Sequence, residues 1–212
     1  MTESIFELTA TVIGERLAAT TLEADPSGVH LDTVDRDWPT GLRQQLTANL
    51  KPAGVLIPII DRPAGLSVLL TRRSAALKHH AGQVSFPGGR MEPEDRDIRH
   101  TALRETHEEV GIHPDKVQVM GFLPPMPTIT GFAVTPVVGL LADDLTLKID
   151  RTEVERAFEV PLRFLLDPGN QKMSTREFAG VPVTLAEFHF DGERIWGATA
   201  SMVIALRQYL II

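Results

Sequence analysis

The sequence predicts an α/β fold: a mixed β-sheet with helices on both faces. Two observations carry that expectation. Apolar runs of strand length and runs of helical periodicity are interleaved without the strict alternation of a parallel βαβ array. The composition is that of an ordinary globular protein with one substantial core, at 212 residues with 43% hydrophobic and 23% charged. A single domain over 1–212 is expected, with 1–50 as a helical extension packed on it.

The elements follow in order. Ile5, Leu8, Val12 and Leu17 recur at helical spacing, as do Leu42, Leu46 and Leu50. Between them the polar stretch 25–37 reads as a loop, and Pro52 breaks the second helical pattern. Residues 55–60 and 66–70 read as strands flanking Asp61-Arg62-Pro63-Ala64-Gly65, a hairpin turn. Residues 83–86 form a short strand that stops at Pro87-Gly88-Gly89. A helix follows over 97–110, with Gly111 at its C-terminal cap position and Pro114 soon after. Further strands are expected at 117–123 and 132–141, separated by a loop over 124–131. Residues 161–166 make one helical turn or two, 181–190 a strand and 198–210 a closing helix.

Composition excludes several classes. There is no cysteine, which removes disulfides, thiolate zinc sites and a cysteine nucleophile. The formal net charge is −7, from 28 acidic and 21 basic residues, and no basic stripe suited to nucleic acid is visible. No apolar run approaches the roughly 20 residues that span a bilayer. The stretch from Met1 to Leu22 carries Glu3, Glu7 and Glu15 and lacks a basic start followed by an apolar core. A cytoplasmic protein without nucleic-acid or membrane partners is expected.

The informative segment is Arg104-Glu105-Thr106-His107-Glu108-Glu109-Val110-Gly111. One reading is a solvated acidic helix face. On a wheel of about 100° per residue, however, Ile98, Ala102, Leu103, Thr106 and Val110 define the inward arc. Glu105 and Glu109 fall at one margin of that arc and Glu108 just beyond. Carboxylates at i, i+3 and i+4 repel one another, and they lie toward the helix C-terminus, where the backbone dipole disfavours them. A divalent cation reverses both costs, because carboxylate oxygens suit Mg²⁺ or Mn²⁺. Arg104 is placed to offset some charge or to fix a glutamate rotamer. Spacing alone leaves the two readings open.

Ahead of this helix stands Phe86-Pro87-Gly88-Gly89, where glycines at a strand end let backbone approach a ligand closely. Arg72, Arg73 and Lys78, with His79 and His80, concentrate positive charge just before it. Such a cluster suits phosphates as well as an ordinary exposed loop.

Taken together, Gly89 and Arg104-Glu105-Thr106-His107-Glu108-Glu109-Val110-Gly111-Ile112 resemble the Nudix box, written G-x5-E-x7-R-E-U-x-E-E-x-G-U with U apolar. Thr106 stands where an aliphatic residue is usual. Gly89 lies one residue too far from Arg104, and Arg96 falls where the pattern wants Glu. One branch, the coenzyme A diphosphatases, is similar in this respect, and its extra signature is written L-L-T-x-R-[SA]-x3-R-x3-G-x3-F-P-G-G. Leu69-Leu70-Thr71-Arg72-Arg73-Ser74, Gly82 and Phe86-Pro87-Gly88-Gly89 fit that signature. Lys78 replaces its second arginine, keeping the charge and losing the bidentate fork. The resemblance runs from about Pro52 to Leu210.

The resemblance implies a Nudix-type α/β/α sandwich with a mixed β-sheet, the box forming a loop, helix and loop. It implies Mg²⁺- or Mn²⁺-dependent hydrolysis of the diphosphate of coenzyme A or acyl-coenzyme A to 3′,5′-ADP and (acyl-)4′-phosphopantetheine. Alternatives are another nucleoside diphosphate derivative, such as ADP-ribose or NADH, and a non-catalytic ligand sensor. Glu105, Glu108, Glu109 and Arg104 are the expected catalytic group. Glu105 and Glu109 are primary cation ligands, Glu108 is a third, and the Gly89 carbonyl is a further one by family analogy. Arg72, Arg73 and Lys78, with Gly88 and Gly89, are expected to hold the substrate. The general base is a box glutamate or one of Glu153, Glu155 and Glu159. A homodimer is compatible with these expectations.

Overall fold

The computed structural model describes residues 8–29, 38–77, 79–178 and 180–211. Helix α1 spans Ala10–Leu17 and α2 Thr40–Leu46. Strands β1 (Lys51–Arg62), β2 (Gly65–Arg73), β3 (Val84–Ser85) and β4 (Gly88–Arg90) precede α3 (Ile98–Val110). Then come β5 (Gln118–Phe122), β6 (Met126–Pro127), β7 (Phe132–Leu141) and β8 (Val154–Pro161). Helix α4 (Leu162–Leu166), the strands β9 (Lys172–Phe178), β10 (Val181–Phe190) and β11 (Glu193–Trp196), and α5 (Ala198–Leu210) complete the chain.

Eight strands form a mixed sheet along the path β3-β2-β1-β7-β5, with β4 on β1, β6 on β7 and β8 on β2. Its axis is the parallel pair β1 and β7, in register from Lys51↔Phe132 to Ile60↔Leu141. The other described pairings are antiparallel, and β9, β10 and β11 form a separate three-stranded sheet.

Strand alternation sorts the core into two sides. On β1, Leu56 and Ile60 face α3, where Leu56 packs with Ile98, Ala102 and Val137, and Ile60 with Val110 and Leu141. Ile57 and Ile59 point the other way, with Val68 and Leu70 of β2, into a larger cluster. That cluster also takes Ile13 and Leu17 of α1, Leu165 of α4, Val203 and Leu206 of α5, and Phe188 and Ile195 of the small sheet. Each such buried aliphatic side chain contributes about 1.5–3 kcal/mol. The expected mixed sheet with helices on both faces is what the chain forms.

Several details differ from the sequence expectation. Pro52 does not end a pattern but lies inside β1, which begins at Lys51. Pro58, which has no N–H to give, falls between the stretch of β1 paired with β4 and the stretch paired with β2. The hairpin turn shrinks to Pro63 and Ala64, with Gly65 at φ 110. Gly88 and Gly89 do not terminate a strand. They form one against β1, in the pairs Val55↔Gly88 and Gly54↔Gly89. Helix α1 buries Ile13 and Leu17 rather than Val12, Leu50 lies beyond α2, and Ile5 and most of the 25–37 loop fall outside the described residues.

Strands β8, β9 and β11 were not expected. Both β8 and β9 mix Arg and Glu with few buried positions, so they lack apolar alternation, and β11 is short. Neighbouring strands recruit them.

Candidate active site

Helix α3 is fixed at both ends. The Asp97 side chain accepts the His100 N–H at 2.7 Å, and Gly111 closes the helix at φ 77. The last carbonyls, of Glu109 and Val110, accept the N–H groups of Asp150 (3.0 Å) and Lys148 (2.9 Å). The segment that leads into Glu153 is thereby tied to the acidic end of the helix. Ile98, Thr101, Ala102, Thr106, Glu109 and Val110 are buried, so Glu109 lies inside the inward arc rather than at its margin. Glu105 is half-buried and Glu108 exposed.

Strand β4 meets this helix at the two glycines. A Cβ on Gly89 would lie 2.5 Å from Glu105 Cδ and 2.6 Å from both carboxylate oxygens. Glycine at this position leaves that space to the Glu105 carboxylate. The Gly88 N–H donates to Glu109 Oε2 at 3.4 Å. Gly88, Gly89, Glu105 and Glu109 thus form one locus.

Burial pushes the Glu109 carboxyl up to about 8. The Arg73 guanidinium, 3.7 Å away, opposes that rise, and the charges of Glu105 and Glu153 add to it. Burial also raises Glu105, against the pull of Arg104 and with the push of Glu108 and Glu153. These carboxyls are short of positive charge.

Arg104 is the hub of the exposed side. Its Nη1 donates to Glu105 Oε1 (2.9 Å) and Glu108 Oε2 (3.0 Å), while Nε and Nη2 each meet an oxygen of Asp95 at 2.9 Å. Those bonds hold Asp95 well below the usual carboxylate range and raise Arg104. Asp95 is absent from the sequence expectation. Its signal was an acid one residue before position 96, where the box wants Glu and the chain has Arg96.

The basic segment divides. Arg73 reaches Glu109, whereas Arg72 pairs with Glu155 (3.3 Å) and with Glu193 of β11 (3.4 Å), which also holds Arg156 (3.2 Å). Arg72 and Arg73 do not share a partner, because adjacent residues at a strand's irregular end point in different directions. Lys78 lies outside the described residues. Of the three later acids, Glu159 is held by Arg62 (2.6 Å) and Ser67, and Glu155 by Arg72. Glu153 is the one whose charge bears on both Glu105 and Glu109. Arg156 and Glu193 carried no signal in the sequence.

The donor set suits a hard divalent cation: two desolvated carboxylates, a nearby third, and a strand backbone packed on them. Among the described residues, no three acids already converge as a ligand cage. Arg104 and Arg73 hold the glutamates instead, so the fit depends on how those guanidiniums share them.

A mixed-sheet sandwich whose carboxylate helix packs against a Gly-Gly strand is a Nudix-type architecture. The NUDIX domain family matches residues 50–195, and the chain belongs to that family. It is 43% identical over 165 residues to a Photorhabdus laumondii protein called uncharacterized Nudix hydrolase NudL, covering 78% of this chain and 88% of that one. A Pectobacterium atrosepticum protein of the same description is 50% identical over 132 residues, covering 59% and 68%. The crystal structure of a Nudix hydrolase from M. smegmatis, RenU, overlaps 55% of this chain and 73% of its own, at 23% identity and a TM-score of 0.47.

Proposed function

We propose that the protein hydrolyses the diphosphate of coenzyme A and acyl-coenzyme A with Mg²⁺ or Mn²⁺, releasing 3′,5′-ADP and (acyl-)4′-phosphopantetheine. One observation carries this reading. The segment resembling the coenzyme A signature delivers both Arg73 and the Gly88-Gly89 strand onto Glu105 and Glu109. Arg73 Nε is also buried with no hydrogen-bond partner among the described residues, a donor suited to an anionic oxygen.

Glu105 and Glu109 would hold the cation, with the Gly89 carbonyl beside them and Glu108 at the rim. When bound, the cation supplies neutralisation of phosphate charge and lowers the pKa of coordinated water. Glu109 would hold the cation as a carboxylate, and Arg73, now 3.7 Å from it, would be free to hold a phosphate oxygen. Glu153, whose charge bears on both Glu105 and Glu109, would accept the proton of the attacking water as the bond from phosphorus to the bridging oxygen breaks. The chain would act as one unit in the cytoplasm, and the described helices of its first 50 residues, α1 and α2, pack on the remainder through Ile13 and Leu17 and through Leu42 and Leu46. Among the described residues, no helix is long and apolar enough to cross a membrane.

The test is incubation with coenzyme A, acetyl-coenzyme A, ADP-ribose and NADH, each with Mg²⁺ or Mn²⁺, and product identification by mass spectrometry. Coenzyme A and its acetyl form should be cleaved fastest. Preferential cleavage of ADP-ribose or NADH moves the substrate assignment, and no cleavage of any diphosphate ends the enzymatic one.

A further inference from the structure

Strand β8 carries one residue more than the strand it lies on. Its register with β2 runs Thr71↔Ala157, Arg72↔Arg156 and then Arg73↔Val154. Glu155 is passed over, which makes a β-bulge. In unbroken register Glu155 would stand directly opposite Arg73, and opposite charges so placed attract. The bulge sends it elsewhere. Its Oε2 meets Arg72 Nε at 3.3 Å, and Arg73 is left to Glu109 at 3.7 Å.

What holds the bulge comes from the other sheet. Arg72 and Arg156 are directly opposed across β2 and β8, and like charges so placed repel. Glu193 of β11 meets both through Oε1, 3.4 Å from Arg72 Nη1 and 3.2 Å from Arg156 Nη2. It is 6% exposed, so its charge acts where solvent screens it least. Glu155 has a side chain 47% exposed, and its own pairing with Arg72 contributes little. Glu193 is the member that keeps Arg72 and Arg156 together, and with them the register in which Glu155 is looped out.

We propose that Glu193 is a positioning residue for Arg73: it pins the β8 bulge through Arg72 and Arg156, so that Glu155 cannot pair with Arg73 and neutralise it. The inference rests on the proposed reading of Arg73 as a phosphate ligand. A tie that only docked β11 on the large sheet would affect stability and leave Arg73 as it is.

The experiment compares Glu193→Gln alone, with Glu155→Gln, and with Arg73→Gln, the last against its Arg73→Gln parent. The full chain is used, with steady-state kinetics on coenzyme A and calorimetric binding of inorganic pyrophosphate without metal. Glu193→Gln should let β8 slip so that Glu155 pairs with Arg73. KM for coenzyme A and Kd for pyrophosphate should both rise about tenfold, the loss of one charge-assisted hydrogen bond, with kcat less affected. Adding Glu155→Gln should restore most of that loss, because the competitor for Arg73 is gone while the tie to β11 stays broken. In Arg73→Gln protein, Glu193→Gln should raise neither value further. KM and Kd unchanged by Glu193→Gln overturn the proposal, and so does a rise that Glu155→Gln leaves in place. If Glu193→Gln does not fold, Glu193→Asp, which keeps the charge and shortens its reach to both arginines, enters the same comparison with the same outcomes. Coenzyme A cleavage by the wild type, with no rescue by Glu155→Gln, overturns this inference alone. Wild-type protein that cleaves no diphosphate but binds pyrophosphate, with the rescue seen in Kd, supports this inference while removing the catalytic reading. Wild-type protein that neither cleaves nor binds overturns both.

Discussion

The place a Cβ would take on Gly89 is filled by the carboxylate of Glu105, 2.5 Å away at Cδ. Strand β4 cannot back off, since it is paired to β1 through Gly54↔Gly89 and Val55↔Gly88. Gly89→Ala should therefore expel Glu105 from its seat while the fold persists. Diphosphate cleavage should drop by about 10- to 100-fold, with weaker Mn²⁺ binding, as for misplaced metal ligands. Initial rates and Mn²⁺ titration check this, and a near-normal rate would dissociate Glu105 from the chemistry.

Glu109 makes stability depend on pH in a stated direction. Its folded pKa is about 8 against an ordinary 4.5, so the folded protein keeps a proton that the unfolded chain has lost. That contribution is complete below about pH 4.5 and disappears as pH rises through 8. Glu105, also raised, acts in the same sense. Asp95, Glu159 and Glu187 are lowered, so their contributions fail only on acidification below the ordinary carboxylate range. With chelator present, the melting temperature should fall between pH 5 and pH 9. Glu109→Gln should flatten much of that slope, raise Tm at the alkaline end and reduce turnover by orders of magnitude. A wild-type slope in the variant would mean that Glu109 is not the group responsible.

Much of this was legible in the sequence, for identifiable reasons. Helix α3 carries its own cap residues, Asp97 and Gly111, and its apolar positions repeat at helical spacing, so its span and inner face follow from local rules. The carboxylate positions were legible through the box. What escaped depends on long-range pairing. Strand β8 has little apolar alternation and exists because Val160, Phe158 and Arg156 find Val68, Leu70 and Arg72 on β2. For the same reason Arg156 and Glu193, 37 residues apart in sequence, could not be seen to meet at Arg72. Asp95 escaped differently. It was hidden by counting back from Arg104; counted on from Gly89, Asp95 stands at the acid position of the box, and its bonds to Arg104 agree with that.

The three acids after β7 should separate in function. Glu155 and Glu159 are already engaged by Arg72 and Arg62, whereas Glu153 acts on both carboxylates of α3. Glu153→Gln should lower kcat by about 100- to 10,000-fold, the usual contribution of a positioned base. Glu155→Gln should leave kcat within a small factor, and Glu159→Gln should cost chiefly stability through the Arg62 and Ser67 contacts. Steady-state rates with thermal melts on all three distinguish the outcomes. If Glu153→Gln turns over normally, the base is a residue of α3 itself.

Gly54 links the packing of the fold to the site. It lies on β1 under α3, and a Cβ there would sit 2.6 Å from the Ile98 carbonyl oxygen and 3.2 Å from the Ala102 nitrogen. Both neighbours are helix backbone, so neither can rotate aside, and α3 must lift from the sheet. Gly54→Ala should destabilise the protein by about 1–3 kcal/mol, the usual cost of overpacking. At roughly 2–4 °C per kcal/mol for a protein of this size, Tm should fall by about 2–12 °C. Because the helix that lifts carries Glu105 and Glu109, Mn²⁺ affinity should fall in the fraction that remains folded. Gly41→Ala is the matching control. Gly41 is in α2 with nothing within 4 Å of its added Cβ, and the change should stabilise by up to about 1 kcal/mol through helix propensity. Equal melting temperatures for the two variants would show that α3 does not rest on β1 at Gly54.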